Sequence, residues 1–379
     1  MIVNELKIDE VERLVEEVSL QSMFALPWFV KALAIQRPFR FLHIQTTRNE
    51  FLVSIVLDSF RLRGLRIYNN AISFSPPQPL NIHVSSQDVS ICLEKTKEYI
   101  CNTYACKELS IIQYPHDPPL LNGIPSLEKW HIMDEGQDLF LDLSIDLPTL
   151  YYSMAKRHRY VLRKITGLNN EDVIEIKPEK LTNIGYRLEI GNDIRNLRDF
   201  YSLWMITFKK MKKQLSKERI HRVAESFKFE NYARSIDILS SKGLCNIFLL
   251  YKGDTPLCGA VLYMSNNFLR VKQSYWSAGA STQVAKKLGA PLLLQWMIIK
   301  WLKEKHYMKY FLGGLDPDNP YSGPTLFKMG FGGSIIKGKR AIYRDAILRY
   351  VFWIGHNLYT RIPMKQKITS SLLKLILEK

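Results

Sequence analysis

Residues 289–333 read GAPLLLQWMIIKWLKEKHYMKYFLGGLDPDNPYSGPTLFKMGFGG. Pro291 to Lys305 places apolar residues at Leu292, Leu293, Trp296, Ile298, Ile299 and Leu302, with charge at Lys300, Lys303, Glu304 and Lys305. That is helical period with a wide buried face. Pro291 suits a first helical turn, where its missing N–H would be unpaired anyway. Tyr307 to Leu312 then reads as a short strand, ended by the Gly313-Gly314 turn. Asp316, Pro317, Asp318, Asn319 and Pro320 form a loop by composition. Gly330, Gly332 and Gly333 offer backbone amides free of side-chain cover, which a ligand can approach closely.

Outward from this stretch, the chain reads as two α/β halves. In the first, Phe24–Ile35 is helical with an early interruption at Pro27. Phe39–Gln45, Phe51–Leu57 and Arg66–Phe74 are strands, Asp88–Thr103 is a helix, and Glu108–Gln113 and Leu139–Leu143 are strands. In the second, Pro148–Ile165 is a helix and Val173–Ile176 and Arg187–Ile190 are short strands. Asp193–Gln214 and Lys217–Ser240 are helices. Leu244–Tyr251 and Leu257–Met264 pair around the Lys252-Gly253-Asp254 turn, and Phe268–Trp276 adds a third strand. Strands, helix, strand occurs in both halves, so a structural duplication is expected without sequence identity between them.

Several motifs together resemble the FemABX aminoacyltransferases and their relatives in the GNAT acyltransferase superfamily. Phe327-Lys328-Met329-Gly330-Phe331-Gly332 matches a Phe-Lys-x-x-Phe-Gly run. Leu292 to Trp301 matches a Leu-Leu-x-Trp-x-x-Ile-x-Trp helix. Ser274 to Ser281 resembles an aromatic strand running into a small-residue loop. Asp142-Leu143-Ser144, then Lys156-Arg157-His158-Arg159 and Arg163-Lys164, resembles the entry to the family's second domain. The resemblance covers about residues 140–335 and is faint over the first half, where Pro27-Trp28 and the strand order carry it. It implies an α/β (α+β) chain with two tandem GNAT-like domains, each a mixed sheet flanked by helices. Their expected limits are 1–145 and 146–340, followed by a basic amphipathic helical tail, 341–379. Two features depart from the family. No heptad run for a coiled-coil arm occurs. The stretch before the main helix, Gln283 to Ala290, keeps Lys286, Lys287, Gly289 and Ala290 but lacks the full phosphate-loop signature of acyl-CoA users.

By local sequence alone Lys328 is a surface lysine on a turn. The resemblance places it beside the transferred carbonyl, where a fixed cation stabilises the tetrahedral oxyanion of acyl transfer. Phe327 and the Gly330 and Gly332 backbone would then shape the donor channel. A general base is harder to find. Asp316 and Asp318 follow the strand, although loop aspartates commonly bond their own backbone. Tyr275 can orient the acceptor or simply fill core. Arg157, Arg159 and Arg163 belong to a run of five positive side chains between Lys156 and Lys164. That run is either a phosphate-holding face or a solvated helix surface. Lys286 and Lys287 with helix amides can hold a phosphate, or form an ordinary basic loop. A second basic run, Lys209 to Lys213, continuing to Lys217 and Arg219, reads as plain surface.

Composition sets outer limits. There are 53 Lys and Arg against 36 Asp and Glu, a net charge of +17, which points to polyanionic partners without choosing among them. The five cysteines contain no C-x-x-C pair, and the histidines form no metal-binding pattern, so zinc and disulfide frameworks are not expected. The acidic, amphipathic start is no signal peptide, and no apolar run reaches membrane-span length. A cytoplasmic location is expected, with peripheral contact at the inner membrane face through 341–379 as one use of the tail and packing on the first domain as another. The activity that the resemblance implies is acyl or aminoacyl transfer to an amino group on a nucleotide- or lipid-linked envelope precursor (peptidoglycan) or glycan. No cofactor is expected to stay bound; aminoacyl-tRNA or acyl-CoA would be the donor co-substrate. Acyl-CoA-dependent N-acylation of an amino sugar or small amine is the alternative. A non-catalytic basic RNA- or membrane-binding protein is the third reading.

Overall fold

Two parallel strand pairs, each bridged by helix, organise the molecule. The computed structural model describes residues 2–350 except positions 19, 21, 35–36, 63–64, 81–83, 115–116, 118–119, 122–129, 212–227, 266–270 and 318. The first half contains β1 (Ile2–Leu6), α1 (Ile8–Glu17), α2 (Pro27–Ala34), β2 (Phe39–Gln45), β3 (Glu50–Leu62), β4 (Leu65–Ser73), β5 (Gln78–Pro79), α3 (Ser86–Tyr104) and β6 (Cys106–Gln113). A long strand, β7 (Trp130–Asp142), leads to α4 (Leu147–Ser153), α5 (Lys156–Thr166), α6 (Asn170–Glu175) and α7 (Pro178–Leu181). Then come β8 (Tyr186–Gly191), α8 (Ile194–Met211), α9 (Phe229–Ser240), β9 (Cys245–Lys252), β10 (Thr255–Met264) and β11 (Gln273–Ser281). The chain continues through α10 (Gln283–Leu288), α11 (Ala290–Glu304), β12 (Lys309–Gly314), α12 (Gly323–Met329) and β13 (Ser334–Arg344).

All strands join one mixed sheet in the order β1-β2-β3-β4-β6-β13-β7-β12-β11-β10-β9-β8, with β5 beside β3. The parallel contacts are β4 with β6, bridged by α3, and β11 with β12, bridged by α10 and α11. Strand β7 links the halves: Trp130 to Phe140 pairs with β13, and Asp138 to Asp142 pairs with β12. Val11, Trp28 and Phe29 share one core with Phe200, Trp204 and Tyr232, so the two halves bury apolar surface against each other. Helix α11 lies deep, with Trp296 and Leu293 fully buried. Trp296 donates to the Val173 carbonyl at 3.0 Å and Lys300 to the Ile174 carbonyl at 2.5 Å, satisfying two carbonyls at the end of α6.

Four sequence expectations change. Val173–Ile176 is not a strand: Val173 to Glu175 lie in α6, whose N-terminus is capped by the Asn169 side chain accepting the Asp172 N–H at 2.9 Å. Such a cap is worth ~1 kcal/mol and outweighs the local β-branched preference. The single helix expected from Pro148 to Ile165 breaks at Met154 and Ala155, both extended, because the Ala155 N–H donates to the Gly330 carbonyl at 2.9 Å. Ser277 to Ser281 continues β11 rather than forming a loop. The tail does not begin at 341: Ala341 to Arg344 lie in β13, paired with both β6 and β7. Residues 351–379, Lys212, Lys213, Lys217, Arg219 and Asp318 lie outside the described residues.

Candidate active site

The seam between β11 and β12 opens after three pairs. Gln273, Ser274 and Tyr275 face Lys309, Tyr310 and Phe311; beyond them β11 runs on with β10 while β12 follows β7. Ser277 is bulged out of the β10 ladder, where Leu262 pairs with Trp276 and Val261 with Ala278. A bulge adds local twist and turns a strand away from its neighbour. On the other side Gly313 takes φ +75°, a conformation that costs a side-chain residue energy. A Cβ on Gly313 would stand 3.1 Å from the Trp276 carbonyl and 3.6 Å from both the Lys328 Nζ and the Tyr275 hydroxyl. Three site groups therefore converge on one glycine.

Lys328 lies in α12, whose N-terminus is capped by Ser322, and its ammonium turns back to the sheet. It donates to the Gly314 carbonyl at 2.7 Å and lies 5.5 Å from the centre of the Trp276 ring. An ammonium has three donors. Gly314 takes one, and no other group among the described residues takes a second. Burial pushes the Lys328 pKa down, while the Asp138 carboxylate opposes that shift by holding the charge on. The Tyr275 phenol is pushed far up, first by burial and then by Asp138, so it stays a neutral O–H donor.

Asp138 was not among the residues the sequence singled out. It is 4% exposed, and it faces Gly314 in the β7–β12 ladder. Its signal was weak, because the strand reading started at Leu139 and an isolated aspartate at a strand boundary resembles a turn residue. Asp316, the expected base, is exposed and accepts the Asn319 N–H at 3.1 Å in its own loop.

Other sequence candidates separate from this seam. A Cβ on Gly330 would fall 2.2 Å from the His158 ring, and one on Gly332 would fall 2.5 Å from the Ser153 carbonyl. These glycines permit close packing of the end of α12 against α4 and α5; they do not present open amides to a ligand. His158 donates through Nε2 to the Phe327 carbonyl at 2.9 Å, and its ring stands 5.1 Å from Phe331 and 5.8 Å from Phe327. Burial lowers the His158 pKa, favouring the neutral ring that fills this position. Phe327 also approaches Trp276, at 6.2 Å between ring centres, so it lies beside the seam.

On α5, Arg157 and Arg163 are exposed, while Arg159 is half-buried with its guanidinium 5.6 Å from the Tyr152 ring. Lys286 and Lys287 are exposed in the last turn of α10, where cations suit the helix dipole. The start of α11 is crowded by α5. Val161 of α5 covers Gly289, leaving only 2.4 Å to an added Cβ, and Ala290 is fully buried. Among the described residues no group of three His, Cys, Asp or Glu could hold a metal ion.

Comparison with known proteins agrees with this fold. Residues 174–322 match the family model of the Acetyltransferase (GNAT) domain. A crystal structure of FemX is similar with a TM-score of 0.67 at 13% identity, over 93% of this chain and 99% of that one. L-PGS from Bacillus licheniformis is similar at 0.53 and 13% identity, over 91% and 94% of the two chains. A tandem GNAT protein from the clavulanic acid biosynthesis pathway is similar at 0.51 and 10% identity, over 90% and 98%. No curated protein matches the sequence. Residues 174–322 thus carry a match to a GNAT domain, and the chain as a whole has a fold like that of FemX and of the tandem GNAT protein.

Proposed function

We propose that this protein transfers an aminoacyl group to an amine on a cell-envelope precursor or glycan, forming an amide at the β11–β12 seam. The carrying observation is the half-buried Lys328 ammonium, which spends one donor on Gly314 and lies 3.6 Å from where a Cβ on Gly313 would stand, at the place where β11 and β12 part. When the acceptor nitrogen attacks the ester carbonyl, the C=O electrons move onto oxygen. Lys328 stabilises that oxyanion, and Tyr275 supplies a neutral donor beside it. Collapse re-forms the carbonyl, breaks the ester C–O bond and leaves the amide; the departing alkoxide takes up the proton the amine has lost. Asp138 keeps Lys328 charged in a site whose burial works against charge.

The Val161 side chain packed on Gly289 supports an aminoacyl ester of tRNA over acyl-CoA, because it crowds the start of the helix on which a CoA pyrophosphate would rest. Purified protein incubated separately with charged tRNA and with acetyl-CoA tests this. The reading predicts loss of the ester bond of charged tRNA in the presence of acceptor, and none in Lys328→Ala. Consumption of acetyl-CoA alone would transfer the reading to N-acylation of an amino sugar or small amine. RNA or lipid binding without turnover on any donor would make the chain a binding protein on a transferase fold.

A further inference from the structure

We propose that the joint face of α5 and α12 docks on an anionic lipid surface. The exposed side of α5 carries Lys156, Arg157, Arg163 and Lys164 around Tyr160, which is 56% exposed. None of these four cations meets a carboxylate among the described residues. The first turn of α5 contains no acid and begins Lys156-Arg157, so two cations sit at the positive end of the helix dipole. The fold gains nothing from that arrangement. An external anionic surface would offset it.

An apolar strip adjoins these cations. Leu326 and Met329, one turn apart on α12, are 52% and 40% exposed. The Ala155 N–H bond to the Gly330 carbonyl and the His158 bond to the Phe327 carbonyl, each 2.9 Å, fasten the end of α12 to the first turn of α5. Tyr152, 48% exposed, stands at the same corner. Cations flanking tyrosines and exposed aliphatic side chains are the composition of a surface lying at a bilayer interface. RNA-binding surfaces also use cations and aromatics, but flat bases stack on rings and have no use for Leu326 and Met329. No helix among the described residues is long and apolar enough to cross a membrane. Helix α12 turns Leu326 and Met329 outward and Lys328 inward to Gly314, so docking would set the seam at head-group level. A lipid-linked amine could reach it there.

The test is flotation of the full chain with vesicles of phosphatidylcholine alone and with equal parts phosphatidylcholine and phosphatidylglycerol. Binding is expected only to the anionic vesicles, and rising salt should weaken it. Leu326→Ser with Met329→Ser should lower bound protein roughly tenfold, and Arg163→Ala with Lys164→Ala should lower it as well, with circular dichroism and unfolding temperature unchanged. Lys328→Ala should bind like wild type, which separates this proposal from the transferase reading. Failure of the wild type to bind anionic vesicles would overturn it. So would binding that survives the Leu326 and Met329 changes, since another segment would then be responsible. Capture by RNA through the α5 cations without vesicle binding would replace it with a nucleic-acid surface.

Discussion

The β4–β6 and β11–β12 seams are built alike and end differently. Each is a parallel pair bridged by helix. Strand β4 is paired from Asn69 to its last residue, Ser73, and β6 carries on with buried Ile111, Ile112 and Gln113. Strand β11 leaves β12 after Tyr275, and Trp276 to Gly279 stay half-exposed. The closed seam contributes stability. The open seam gives up ladder hydrogen bonds and apolar burial, and in exchange exposes a backbone edge, an aromatic and a cation to a ligand. On the proposed reading one half serves as scaffold and the other holds the site, and the difference lies in a bulge at Ser277 and in Gly313.

Replacing Lys328 by Ala should break the comparison most strongly. Turnover should fall by about 10²–10³ with the unfolding temperature unchanged, the usual cost of removing one oxyanion donor. Its first-half counterpart, Ile111→Val, should cost about 0.5–1.5 kcal/mol in denaturant unfolding and leave turnover per folded molecule intact. Loss of turnover in Ile111→Val would mean that the closed seam also takes part. Gly313→Ala comes next. A side chain at φ +75° costs about 1–2 kcal/mol, and its methyl group would occupy the space shared with Lys328 and Tyr275, so steady-state turnover should drop about tenfold. Gly314→Ala, whose nearest neighbour would be Asp138 at 4.0 Å, should be tolerated.

His158 sharpens the picture by its indirect role. His158→Ala should lower kcat by about tenfold with little change in KM, because α12 loses its tie to α5 and Lys328 loses its position. His158→Gln, which keeps a donor for the Phe327 carbonyl, should recover part of that loss; equal defects in both variants would reduce His158 to packing. The last effect bears on stability alone and concerns the crossover helix, away from the seam. Lys300 is 5% exposed, and burial lowers its pKa to about 8 from 10.5. Below pH 8 it is protonated in both states and its buried charge opposes folding. Between about pH 8 and 10.5 the unfolded chain holds more protons, so stability should rise with pH by at most about 3 kcal/mol. Urea unfolding across that range should show this slope in the wild type and not in Lys300→Met.

Local sequence determined much of this protein: most of the strands and helices of both halves, the α11–β12 unit, and the motif that holds Lys328 and Phe327. Those signals depend on side-chain periodicity and glycine within a few neighbours, which a sequence displays directly. What was missed depends on distant partners. β13 escaped notice because Lys337, Lys339 and Arg340 hide its alternation, and its neighbours β6 and β7 lie far back in the chain. Gly330 and Gly332 read as open backbone until His158 and Ser153 were seen to cover them. Asp138 acquires meaning only beside Gly314, Lys328 and Tyr275. Lys328 and Tyr275, the residues proposed to act on a carbonyl, were therefore visible in the sequence, whereas tertiary structure alone decided that they meet, because burial and strand register are set by contacts that local propensity does not encode.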